Sequence, residues 1–254
     1  MVVQRLKWAG LRLEAAGRCL LIDAVEDFAA SVMGAAAGRV GKAGNPVSGA
    51  TTQADYILLT HLHRDHYDPQ LIRDCLRPEG LVFCPDAVAA TLRADGLDRV
   101  VGFAMNQAFQ HGSLKITAVY ALDGFGDPQC SWVVEDGEHR ILHGGDTLWH
   151  NQFWNLGAHY QSFDAVFLPI NGVAVHLPHL AFSPVPATLT PLQAVSAAQL
   201  LHARQLCPIH YGLNIPGSYE EYPAALAETQ RLTAELGVPL SVLNNGQELA
   251  WPLQ

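Results

Sequence analysis

The chain has 254 residues, 49% hydrophobic and only 15% charged, against about 25% charged in an average soluble protein, so disorder for want of apolar residues is excluded. Fifteen Lys and Arg against 24 Asp and Glu leave a formal charge of −9, which repels a phosphate backbone and argues against a nucleic-acid partner. The five cysteines, Cys19, Cys75, Cys84, Cys130 and Cys207, are scattered and never form a C-x-x-C pair, so neither a disulfide framework nor a zinc finger is expected.

The opening residues, Met1-Val-Val-Gln-Arg-Leu-Lys-Trp8, lack the apolar run and cleavage site of a secretory signal, which leads to the expectation of a cytoplasmic protein. Short apolar runs at Leu11 to Glu14 and Cys19 to Asp23 flank Gly17-Arg18 and predict a hairpin. The Ala- and Gly-rich residues 24–50 read as a helical turn and a long loop. Asp55 to Thr60 is a continuous apolar strand, followed by His61-Leu-His-Arg-Asp-His66 and a helix from Asp68-Pro69 to Cys75. Strands are expected at Leu81 to Cys84 and Lys115 to Tyr120, with a helix over Pro85 to Ala94. A hairpin is expected at Ser131 to Glu135 and His139 to His143, joined by Asp136-Gly137.

Asp164 to Leu168 predicts a further strand. A helix from Thr190-Pro191 to about Ala203, a short strand Leu206 to Ile209, a last helix Tyr219 to Leu236 and a closing strand Leu240 to Leu243 follow. Trp149, Phe153 and Trp154, at roughly helical spacing, read as core. The most apolar stretch, Ala165 to Phe182, is interrupted by Pro169, Asn171, Gly172, His176, Pro178 and His179, so it reads as strand and loop and no membrane span is expected. No repeat or low-complexity linker appears, and the expectation is one mixed α/β layered domain over 1–254.

His61-x-His63-x-Asp65-His66 places four potential metal ligands in six residues just where a strand ends. A lone histidine is usually a hydrogen-bonded residue, but four such groups at this spacing point to a metal. Asp123, Asp146 in Gly144-Gly-Asp-Thr147, and His210 in Pro208-Ile-His-Tyr-Gly212 also follow strands. His143 reads as packing or support for ligands, while His111 and His150 are too loosely placed to assign. Gly124-Phe-Gly126 lacks the phosphate-binding fingerprint, so no nucleotide cofactor is expected.

With these motifs the chain resembles the metallo-β-lactamase fold superfamily of metal-dependent hydrolases. His61 to His66 matches its H-x-H-x-D-H signature, Gly144 to Thr147 its bridging-aspartate motif, and Pro208 to Gly212 its last histidine. Leu168-Pro-Ile-Asn-Gly172 and Thr190-Pro-Leu-Gln-Ala-Val195 resemble the branch containing the L-ascorbate-6-phosphate lactonase and related small-molecule hydrolases. The resemblance implies a four-layer αββα sandwich and two divalent metal ions, zinc, manganese or iron. It implies that His61 and His63 hold the first ion, that Asp65, His66 and His210 hold the second, and that Asp146 bridges them. Asp123 stands where the family usually has a histidine; a carboxylate can also ligate.

The function expected is hydrolysis of a small ester, lactone or phosphoester, with Asp65 and Asp146 as catalytic carboxylates. His176, His179 and Asn171 are candidates for substrate contact. The poorly charged residues 24–50 and 171–189 suggest a neutral or modestly hydrophobic small-molecule substrate. Homo-oligomerisation is left open. The competing class is a non-catalytic or regulatory metal-binding protein with an altered first site. Di-iron redox and nuclease members of the superfamily carry extra domains, for which no segment is evident.

Overall fold

The computed structural model describes residues 1–25, 52–176 and 181–251. The loop expected over 24–50 lies, from residue 26, outside the described residues, as does His179. The chain divides into two compact units. The first comprises Met1–Val119, Trp132–Glu138 and Leu243–Ala250; the second comprises Tyr120–Ser131, His139–Val242 and Trp251–Gln254. Both are mixed α/β, as the alternation of strand and helix signals predicts.

In the first unit, β1 (Val2–Arg5), β2 (Leu11–Ala15), β3 (Arg18–Ile22), β4 (Ala54–Leu58), β5 (Leu76–Pro85) and β6 (Val100–Phe103) form one sheet in chain order. The first three run antiparallel. From β3 onward the pairing is parallel. Ala16 and Gly17 both have positive φ, 50° and 73°, as a tight two-residue turn between twisted strands requires. Helix α1 (Pro69–Cys75) starts where expected: Asp68 Oδ1 accepts from the amides of Gln70 and Leu71, and proline opens the first turn. A 3-10 turn, Asp86–Val88, leads into α2 (Ala89–Ala94).

The unbroken apolar run of β4 reflects a strand covered on both faces. Ile57 and Leu59 join Leu71, Ile72, Val82 and Leu92 in one buried cluster. Tyr56 instead stacks on Phe83, with centroids 5.3 Å apart. Tyr56 and Phe83 both meet Phe109 of β7 (Ala108–His111), at 5.2 and 5.0 Å. The β7 strand is the outer arm of a hairpin with β8 (Leu114–Tyr120). Trp132 of β9 (Cys130–Glu135) packs edge-on against Phe103, and its indole donates to Leu59 O at 3.1 Å. This fastens the chain at the exit of β4, where the histidine motif begins.

In the second unit, β10 (Arg140–His143), β11 (Ala165–Pro169) and β13 (Leu206–Ile209) are parallel. Two-residue strands β12 (Ala174–Val175) and β14 (Tyr219–Glu220) pair antiparallel. Helices α3 (Gln152–Tyr160), α4 (Pro191–Leu200) and α5 (Ala225–Leu236) belong to the same unit. Thr190 and Gln193 form a capping box at the start of α4. Gly157 lets α3 approach α4, because a Cβ there would collide with the Leu200 carbonyl oxygen.

Three sequence expectations need correction. The last helix starts at Ala225 rather than Tyr219, because Tyr219–Glu220 are committed to β14 and Ala224 turns the chain with φ of 52°. Leu240 makes a single bridge to Leu206, and Leu240 to Leu243 do not form a strand. Phe153 is core but Trp154 is 53% exposed, since adjacent helical residues point about 100° apart. The described cysteines are all free thiols, and burial pushes the Cys84 thiol up to about 12. No helix among the described residues is long and apolar enough to cross a membrane.

Candidate metal centre

The first unit gathers His61, His63, Asp65 and His66. The chain leaves β4 and turns, with His63 O accepting from the amides of His66 and Tyr67, both at 2.9 Å. That single turn brings the histidines together: the His61 ring lies 4.3 Å from that of His63 and 4.2 Å from that of His66. His61 and His66 are fully buried. Asp65 Oδ2 stands 3.6 Å from His66 Nε2 and accepts from Trp8 Nε1 at 3.0 Å.

Behind the histidines lies Asp23, which has no solvent exposure. It follows β3, and its amide donates to Leu58 O of the neighbouring β4 at 3.0 Å. Its Oδ1 accepts from the Thr60 amide at 2.8 Å. Its Oδ2 accepts from Thr60 Oγ1 at 2.6 Å and faces His66 Nδ1 at 2.8 Å. With its hydroxyl proton given to Asp23, Thr60 Oγ1 accepts from His61 Nδ1 at 2.9 Å. One carboxylate therefore sets the tautomers of two imidazoles and makes Nε2 the nitrogen that each would offer a cation. Neither Asp23 nor Thr60 was a candidate from the sequence; the available signal is an aspartate ending an apolar strand that precedes the motif-bearing strand.

The second unit holds Asp146 and His210 together, Oδ2 to Nε2 at 2.9 Å. Asp146 follows β10 through Gly144-Gly145, where Gly145 has φ of 59°. The Gly145 amide donates to His143 Nδ1 at 3.2 Å and the Asp146 amide to Gln129 Oε1 at 3.2 Å. His143 is thus a buried brace for the aspartate turn. His210 leaves β13 with φ of 54°. Glu221 holds the loop behind it by accepting from the amides of Gly212 and Leu213, at 3.1 and 2.9 Å. Burial raises the Glu221 carboxyl above its ordinary range, an effect that these amides and His210 oppose. Asp123 is buried, and its Oδ1 caps a turn by accepting from the amides of Phe125 and Asp127, at 2.7 and 3.1 Å.

Of the residues expected to touch substrate, His176 stacks on Phe182 with centroids 3.8 Å apart. His179 lies outside the described residues. Asn171 is completely buried; its amide donates to Tyr219 Oη at 2.8 Å and its carbonyl accepts from Thr188 Oγ1 at 2.6 Å. Its side chain is therefore a brace for its own loop rather than a surface for a ligand. Of the unassigned histidines, His111 sits between Arg18 and Tyr56 Oη, at 2.9 and 3.0 Å.

His150 is 6% exposed, lies on Phe153 at 4.0 Å and meets Tyr120 edge-on at 5.0 Å. Neither of its ring nitrogens has a hydrogen-bond partner among the described residues. Burial lowers its pKa from 6.5 to about 4, so the unfolded chain binds the proton more readily than the folded one. Stability should consequently decline as pH falls from about 6.5 toward 4. The contribution is on the order of 3 kcal/mol. The difference between wild type and His150→Phe in thermal unfolding across this window isolates it, and parallel curves would dismiss it.

In the first unit three imidazoles and the Asp65 carboxylate, with no thiolate, form a nitrogen and oxygen donor set suited to zinc, manganese or iron. The keyed Nε2 atoms of His61 and His66 make the fit specific. This His/Asp cluster could bind metal, and the comparisons agree. Residues 18–211 match the model of the β-lactamase superfamily domain. The chain is 28% identical over 202 residues to the UPF0173 metal-dependent hydrolase YtkL of Bacillus subtilis, covering 75% of this chain and 80% of that one.

It is likewise 28% identical over 205 residues to an uncharacterized protein of Mycobacterium bovis, of which it spans 54%. Among solved structures it is similar to an isothiocyanate hydrolase from Delia radicum gut bacteria, at a TM-score of 0.74, 20% identity and 99% coverage of both chains. The metallo-β-lactamase fold protein YhfI of Bacillus subtilis matches at a TM-score of 0.64 and 15% identity, covering 96% of this chain and 91% of that one. The fold is that of the metallo-β-lactamases, and the chain belongs to the β-lactamase superfamily as one of its metal-dependent hydrolases.

Proposed function

We propose that the protein hydrolyses a small ester, lactone or phosphoester at a centre of two divalent ions. His61 and His63 hold the first ion with Asp123, while Asp65, His66 and His210 hold the second, and Asp146 is shared. The observation that carries this reading is the cluster of His61, His63 and His66, in which Asp23 and Thr60 set the tautomers of the two buried rings, His61 and His66. When bound, such ions supply a water deprotonated near neutral pH and polarise a carbonyl or phosphoryl oxygen.

The chain's own residues do the rest. Asp23 and Thr60 fix the rings, Gln129 and His143 fix the turn that carries Asp146, and Glu221 fixes the turn after His210. Asp65, besides ligating, accepts a hydrogen bond from the attacking water and orients it.

Elemental analysis combined with an esterase, lactonase and phosphodiesterase panel tests the reading. About two ions per chain are expected, with metal content and activity both reduced in His61→Ala and His66→Ala. A protein that never retains more than a trace after reconstitution with zinc, manganese or iron would sink the assignment. The second reading, a non-catalytic metal-binding protein, draws on Asp123, one oxygen of which already caps a turn. It predicts bound metal with no turnover on any substrate of the panel. Asp123→Ala should reduce occupancy at one site only; unchanged stoichiometry and affinity would remove Asp123 from the ligand set.

A further inference from the structure

Trp8 lies 57 residues before Asp65 in sequence, yet its indole nitrogen is 3.0 Å from Asp65 Oδ2. An indole offers one N–H donor, cannot accept at nitrogen and does not ionise, so this contact is a directed donation to a carboxylate. The oxygen it holds is the one that stands 3.6 Å from His66 Nε2.

The loop that carries Trp8 is built for this presentation. Trp8 is buried, and its backbone is left-handed, with φ of 58°, a conformation strained for a large side chain. The Leu6 amide donates to Gly10 O and the Gly10 amide to Lys7 O, both at 2.8 Å. Arg5, itself buried, donates from Nη1 to Leu243 O at 3.1 Å and from Nη2 to Trp8 O at 3.5 Å. Gly10 keeps the loop tight: a Cβ would meet Leu6 Cβ and Lys7 O at 3.1 Å and Asp23 O at 3.3 Å. A phenylalanine would keep a buried aromatic ring there, and what tryptophan adds is the N–H.

We propose that Trp8 is a positioning residue of the metal centre, its indole N–H holding Asp65 Oδ2 beside His66 Nε2 so that the carboxylate meets a divalent ion in one orientation. The inference rests on the reading of Asp65 and His66 as ligands. Asp65 is only partly buried, so the indole narrows the rotamers and the hydration open to its side chain before an ion arrives. Groups that orient metal ligands from behind typically change affinity 10- to 100-fold when removed.

The test uses the full chain, stripped of metal and titrated with zinc or manganese against a chromophoric chelator. Trp8→Phe should bind about 10-fold or more weakly, while its metal-free unfolding midpoint stays within about 3 °C of wild type. A purely structural role would move the midpoint and not the affinity. Wild type that binds metal, with Trp8→Phe within twofold of it, would overturn the role of Trp8 and leave the metal reading intact. Wild type that binds no metal overturns both. If Trp8→Phe does not fold, the wild type decides: the indole N–H resonance of Trp8 should shift when the ion is added, and a resonance unmoved at saturation overturns the proposal.

Discussion

Asp146→Asn is expected to lower turnover on the order of 100-fold, about 2.7 kcal/mol in barrier, while the fold survives. The substitution keeps size and shape, and the backbone bond from Asp146 to Gln129 is untouched. What disappears is one negative charge 2.9 Å from His210 Nε2, in the proposal the charge that two cations share. The measurement is kcat/KM on a substrate identified from the panel, with thermal unfolding run alongside. If activity stays within about threefold, a change under about 0.7 kcal/mol, the shared-ligand role of Asp146 is wrong.

The second large effect concerns Asp23. Asp23→Ala would leave the Thr60 amide, the Thr60 hydroxyl and His66 Nδ1 in the interior without the carboxylate that now accepts them. Each abandoned buried donor costs about 1–3 kcal/mol, so a loss of about 3 kcal/mol or more is expected. For a chain of this size that is roughly 6–12 °C in unfolding midpoint. Metal affinity should fall 10- to 100-fold as well, because His66 loses its tautomer and His61 loses its orientation through Thr60. Asp23→Asn, which keeps an acceptor oxygen for Thr60 but turns an NH2 toward one of the present donors, should be intermediate in stability. An Asp23→Ala protein that folds and binds metal like wild type would refute the relay.

Local features were legible in the sequence wherever the physics is local. The β2–β3 turn, the proline-started α1 and the boxed start of α4 depend on residues within four positions of one another. The continuous apolar run of β4 announced a strand, and the density of His61, His63, Asp65 and His66 announced a metal-binding chemistry. Exposed β7, with polar Gln110 and His111, and the two-residue strands β12 and β14 carry no such signal, because their pairing partners rather than their composition make them strands. The expected helix at Tyr219 failed for the same reason.

The supporting layer of the site was decided only by tertiary structure. Asp23 and His66 are 43 residues apart and Trp8 and Asp65 are 57 apart; no periodicity or motif encodes such a pair. Asn171 was a candidate for substrate contact, yet its side chain is buried between Tyr219 and Thr188 and braces its loop. Ligand types and their spacing lie along the chain because one turn of backbone brings them together. Tautomer, orientation and burial depend on which distant strand end arrives beside them, and the parallel pairing of β3 with β4 sets that by placing Asp23 against Thr60.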